Sequence, residues 1–187
     1  MNNWLRAITT IMVLAIGFGP VSAWSGSSPK KSEHGLYVQK WFANSTGDLR
    51  QDMAAALAEN KILAVFWEQE GCHYCQEMHE VNLQDQDLVA YISKHFHVVQ
   101  YDLRGAGNTK TWDGEALSQR ELAGELGVRG TPTILFYRES GKEVTRMPGF
   151  AATPVFRKVF EYVVEKGDAE AGLVDWIRNK MSTETKG

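Results

Sequence analysis

A disulfide framework is excluded from the start, because the chain has only two cysteines among its 187 residues. A basic surplus is missing too: 23 Asp and Glu outnumber 20 Lys and Arg, for a formal net charge of −3. No global positive field therefore draws the chain to nucleic acid or to an anionic membrane. Long apolar runs are absent. The longest, residues 7–18, is about a dozen residues, against the roughly 20 that a spanning helix needs. Internal repeats and low-complexity tracts are lacking as well. What remains is an ordinary globular composition, 43% hydrophobic and 23% charged, at a length that suits one domain with a full core.

The first 23 residues read as an export signal. Arg6 and the free amine supply a weakly positive start, the apolar run follows, and Val21-Ser22-Ala23 offers small residues for cleavage after Ala23. Retention of the segment as an uncleaved anchor is the alternative. Cleavage would remove one basic residue and no acidic one, leaving a slightly more acidic chain with no stable membrane insertion. Residues 24–47 then form an N-terminal arm: 24–35 is a polar linker without apolar period, and 36–42 is an edge strand or a packed lead-in. A globular domain is expected over 48–182, with a tail at 183–187.

Within that domain the periodicity predicts a helix over 48–60, with Leu49, Met53, Ala56 and Leu57 at helical spacing. The apolar run 61–67 suits a strand buried on both faces. Helices are predicted after the cysteines (76–80), behind Asp85 as a cap, over 117–126 with Gly127 as its left-handed stop, behind a Thr153 cap with Pro154 in the first turn, and over 170–180. Strands are predicted at 97–103 and 133–137, with 143–147 as hairpin partner of the latter. A polar, Gly-rich loop spans 105–114. Alternation followed by a terminal hairpin implies an α/β fold with a central mixed sheet and helices on both faces.

The two cysteines stand as Cys72-His73-Tyr74-Cys75 directly behind the apolar strand. A disulfide closing so short a loop removes little entropy from the unfolded chain, so a structural staple is a poor explanation. A strand ending at Trp67 and a helix opening at the cysteines would put Cys72 at a helix N-terminus. There, unpaired N–H groups and the helix dipole favour a thiolate, the nucleophilic form of cysteine. His73 would lower the pKa of Cys72 further, Cys75 would resolve a mixed disulfide, and Tyr74 would pack beside the site or meet the substrate. An inert disulfide and a metal site stay open beside this reading. Zinc would need a second cysteine pair, and haem attachment a histidine where Gln76 stands. Met78 and His79 offer copper ligands, though on a helix Met78 would cover the core and His79 would face solvent. His95 and His97 read as boundary polar positions, and Lys30-Lys31 is too short for a binding patch. No cofactor is implied.

Phe66-Trp67 before the cysteine motif, Gly127-Val128-Arg129-Gly130-Thr131-Pro132-Thr133, Gly141-Lys142 and Pro148-Gly149-Phe150 occur in an order that resembles the thioredoxin superfamily. Within it, the chain is similar to exported thioredoxin-like proteins of the SoxW type. The resemblance covers roughly 48–166. It implies a thioredoxin-like fold, a cis peptide before Pro132 lying against the disulfide, and pairing of the Thr131 backbone with an extended substrate. Gly149 would be the family glycine that lets backbone approach the site. Two departures stand out. The family's buried acid would fall near Val65, so Glu68 or Glu70 would have to act as proton relay from the loop. An insertion between Tyr101 and Leu117 carries Trp112, as an anchored turn or a partner-recognition loop.

The function so implied is an exported, periplasmic thiol–disulfide oxidoreductase. It would reduce disulfides of protein or small-molecule partners, with electrons from a membrane dithiol donor. Tyr74 and Thr131 also resemble disulfide isomerases of the DsbC type, and His73 would favour an oxidase. A copper-handling binding protein is the alternative from another class.

Overall fold

The computed structural model describes residues 29–139 and 141–184. The expected export signal lies outside them, as do residues 24–28 of the arm and 185–187 of the tail. The elements run β1 (Lys30–Lys31), β2 (Tyr37–Val38), α1 (Leu49–Ala58), β3 (Ile62–Glu68), α2 (His73–Glu80), α3 (Gln86–His95) and β4 (Phe96–Asp102). There follow β5 (Asn108–Lys110), β6 (Ala116–Ser118), α4 (Gln119–Glu125), β7 (Thr133–Tyr137), β8 (Glu143–Pro148), α5 (Thr153–Val164) and α6 (Leu173–Glu184).

Four strands form the central sheet in the order β4-β3-β7-β8. β4 lies parallel to β3, and β7 and β8 are antiparallel to their neighbours, so the sheet is mixed. β3 is central and buried on both faces, which is why it reads as an unbroken apolar run. Its parity divides the core. Ala64 and Phe66 face a cluster with Met78 of α2, Leu88 and Ile92 of α3, and Phe156 and Phe160 of α5. Leu63, Val65 and Trp67 face the other cluster, with Leu49 and Met53 of α1 and Leu122 of α4. Helices thus cover both faces.

Caps set several boundaries. Asp48 and Asp85 accept from backbone N–H groups of Arg50 and Leu88 at 3.0 and 2.9 Å. Ser118 and Glu121 form a reciprocal capping box at α4. Gly127 closes α4 at φ +67°, where a side chain would be strained. The α5 cap differs from expectation: Ala152 holds the position without a side-chain hydrogen bond, and Thr153 is already helical. α6 reaches Glu184, so residues 183–184 belong to a helix rather than to a tail.

The arm is no free linker over its described part. β1 pairs with β2 across a turn in which Gly35 has φ +76°. The Ala43 N–H donates to Val98 O, and the Gln100 amide donates to Tyr37 O. Ser45 and Thr46 donate to the fully buried Asp52 of α1, which also accepts from Tyr101 of β4 at 2.9 Å. Polar side chains at 45 and 46 carry no apolar period, so this docking is invisible to periodicity. The expected Gly-rich loop holds β5 and the turn of a hairpin whose second strand, β6, takes residues 116–118 ahead of α4. Trp112 at its turn packs on Tyr137 with ring centroids 5.0 Å apart.

Candidate active site

β3 delivers the chain to the site and ends at Glu68. Gly71, at φ +72°, turns it into α2. Cys72 is the N-cap of α2 and is joined to Cys75 by a disulfide, with Cα atoms 5.2 Å apart. The Cys75 N–H donates to Cys72 Sγ at 3.1 Å. The sulfur therefore takes the place of a capping oxygen, at the positive end of the helix where negative charge is favoured. Exposure separates the two cysteines. Cys72 keeps 8% of its surface and Cys75 none, so an incoming reactant meets Cys72.

His73 and Tyr74 are exposed on the first turn of α2. Tyr74 stacks on Phe150, with planes 14° apart and centroids 6.2 Å apart. Phe150 follows Gly149, which has φ +80° and donates its N–H to Pro132 O at 2.7 Å. That chain of contacts joins the cysteine helix to the start of β7. The Thr131–Pro132 peptide is cis. The Thr131 N–H and C=O have no hydrogen-bond partner among the described residues, and Thr131 lines a groove of ≈ 250 Å3 with Gly130, Thr133, Pro148 and Gly149.

Behind the disulfide lies a buried polar pair. Glu68 is the last residue of β3, not part of the loop, and shares the parity of Ala64 and Phe66, so it faces α2. Its carboxylate accepts from His79 Nε2 at 2.9 and 3.2 Å, with both residues fully buried. The Gln39 amide donates to His79 Nδ1 at 3.1 Å, which places the ring proton on Nε2. The expectation that His79 faces solvent is thus corrected. It lies four residues after Cys75, on the same face of α2, and the carboxylate and Gln39 meet its ring. Glu70 is exposed and lies against the Gly35 turn. Val65 sits on the opposite face of the sheet.

Tyr37 completes the site. It clusters with Cys72 and Cys75 and contacts the His79 ring, with centroids 5.8 Å apart. Sequence reasoning missed Tyr37 and Gln39 because they lie in a segment without periodic pattern. The place of His79 could have been found from its spacing to Cys75. Among the described residues no group of three or more His, Cys, Asp or Glu side chains is placed to hold a metal ion, and no helix is long and apolar enough to cross a membrane.

Comparison with known proteins agrees with this geometry. A family model described as a thioredoxin-like domain matches residues 49–164. The chain is 24% identical over 168 residues to the thiol:disulfide interchange protein DsbD of Photorhabdus laumondii, covering 87% of this chain and 27% of that protein. It therefore spans about a quarter of the length of that curated relative. A putative disulphide-isomerase from Bacteroides thetaiotaomicron superposes with a TM-score of 0.54 at 26% identity, covering 71% of this chain and 95% of that one. A thioredoxin from Thermus thermophilus superposes with a TM-score of 0.51 at 28% identity, covering 63% and 85%.

Proposed function

The chain belongs to the thioredoxin-like domain family, and on that premise we propose that it is a thiol–disulfide oxidoreductase acting through Cys72 and Cys75. The observation that carries the reading is the unequal pair at the start of α2: one sulfur caps the helix and has access to solvent, while the other is sealed one turn inside.

In the reducing direction, the Cys72 thiolate attacks a substrate disulfide. One new S–S bond forms as the substrate bond breaks and a substrate thiolate leaves. Cys75 then loses its proton and attacks Cys72 Sγ, releasing the second substrate thiolate and closing the protein disulfide. Two electrons pass to the substrate, and the two cysteine protons end on its thiols. Glu68, with His79, is the proton acceptor this reading assigns to Cys75, since the pair lies one helical turn behind that sulfur. The free backbone of Thr131 offers an extended substrate one short strand pairing, with Pro132 and Gly149 shaping that edge. His73 and Tyr74 flank the exposed approach.

Reduction of exported partner proteins, supplied by a membrane dithiol donor, is the direction we favour. Similarity to a thiol:disulfide interchange protein supports it, as does the expected signal at 1–23. Periplasmic location and kinship with the SoxW type belong to this proposal. Isomerase activity is the second reading, favoured by Tyr74 and Thr131 and by the similarity to a putative disulphide-isomerase. The copper-carrier reading is weakened because both ring nitrogens of His79 are engaged.

The test is catalysed reduction of insulin by dithiothreitol, together with the equilibrium potential of the pair. Activity lost in Cys72→Ser, with a potential near the thioredoxin end of the roughly −270 to −120 mV range, supports the reductase. Full activity in Cys72→Ser overturns the enzyme reading, and a potential near −120 mV overturns the reducing direction.

A further inference from the structure

The groove beside Thr131 has a charge that the exchange chemistry does not use. Two arginines line it, Arg129 and Arg146, together with Gly127, Thr131, Thr133 and Gly149 among others, and no acidic residue does. Arg146 is already neutralised: its guanidinium donates to Glu143 through Nε and Nη2, at 2.6 and 2.5 Å. Arg129 is exposed, and its guanidinium has no hydrogen bond or ion pair among the described residues. A mildly acidic chain thus presents one unpaired positive charge at the rim of the groove that Thr131 lines.

Geometry gives that charge a target. Arg129 stands two residues before Thr131 and lines the same groove, so an extended segment paired with the Thr131 backbone passes alongside it. A carboxylate within two or three residues of the partner's cysteine then reaches the guanidinium, which binds carboxylates through two parallel hydrogen bonds. We propose that Arg129 is a specificity-determining residue that selects disulfide partners with acidic residues flanking the cysteine. This rests on the function proposed above and names the substrate class of the same site.

The test uses the full chain and fluorescein-labelled peptides of one sequence, with Glu, Gln or Lys at the flanking positions. In one set serine replaces each cysteine, so that binding is read without chemistry. At low ionic strength the Glu peptide should bind about two- to fivefold more tightly than the Gln peptide, the range of an exposed ion pair, and the Lys peptide more weakly than either. The preference should fade in about 1 M salt, where screening acts within about 3 Å. Arg129→Gln should abolish it, Arg129→Glu should invert it, and Arg178→Gln, on α6, should retain it. Equal binding of the three peptides, or a preference that survives Arg129→Gln, overturns the proposal.

The cysteine-containing set, assayed for reduction, separates the two claims. A binding preference with no peptide reduced leaves the charge selection standing and removes the reductase. Reduction of all three peptides without any binding preference does the reverse.

Discussion

His79 Nε2 lies 2.9 Å from the Glu68 carboxylate, both residues are fully buried, and the pair stands one helical turn behind the resolving sulfur of Cys75. In such a pair each partner offsets the other's desolvation cost, and removing one strands the other in an apolar core. His79→Ala, which leaves the carboxylate without its donor, is predicted to destabilise the fold by about 3–5 kcal/mol in urea denaturation. Glu68→Gln keeps an acceptor of similar shape that cannot take a proton. It should change stability much less, yet slow resolution of the mixed disulfide at neutral pH by on the order of 10²-fold, the lower end for positioned acid–base groups. Stopped-flow reduction across pH checks this, and a wild-type rate and pH profile in Glu68→Gln would remove the relay.

Tyr37 closes the disulfide from the arm side and is itself 8% exposed. Tyr37→Ala should lower stability by about 3 kcal/mol, as for other buried aromatics. It should also speed reduction of the Cys72–Cys75 bond by small reductants, because the apolar cover is gone. Tyr37→Phe should behave as wild type in both measurements, since the phenol hydroxyl makes no hydrogen bond among the described residues. An unchanged reduction rate in Tyr37→Ala would show that the arm does not shield the disulfide.

Asp48 caps α1 and pairs with the Arg50 side chain in its first turn. The Arg50 side chain, more than any other group, lowers its carboxyl from the usual 3.8 to about 2. The folded state therefore favours the ionised form. The resulting stabilisation is complete above about pH 4 and is lost as the pH falls through about 2. Asp48→Ala should cost about 1 kcal/mol at pH 7, and the gap to wild type should narrow between pH 4 and pH 2. Urea denaturation at several pH values measures it. A gap independent of pH would mean that the charge contributes nothing.

The parts of the architecture carried by periodicity and by backbone exceptions were legible beforehand. The unbroken run at 62–67 announced a strand buried on both faces, and Gly127 announced the end of α4. The sequence alone puts position 68 in the loop, because a glutamate after an apolar run looks like the run's end. Its parity with Ala64 and Phe66 shows that the strand continues and aims the carboxylate into α2. The sequence alone puts His79 in solvent, because polar residues on a short helix are usually solvated; only the buried partner on another element makes its burial tolerable. The sequence suggests an edge strand or packed lead-in at 36–42, but the arm's polar contacts have no signature for a related reason. Tyr37 and Gln39 pair with Gln100 and His79 far along the chain, Ser45 and Thr46 reach only to Asp52, and polar pairing at either range leaves no apolar period to read.

The most direct test of the account is capture of a mixed disulfide by Cys75→Ser, followed by peptide mapping of the adduct. With the resolving sulfur removed, the protein should accumulate one substrate molecule per chain, linked through Cys72 and stable until an external thiol is added. Cys72→Ser should trap none, because Cys75 is sealed from solvent. An adduct on Cys75 in Cys72→Ser at a comparable rate, or no adduct on Cys72 at all, would contradict the assignment of the helix-capping sulfur, the more accessible of the two, as the nucleophile.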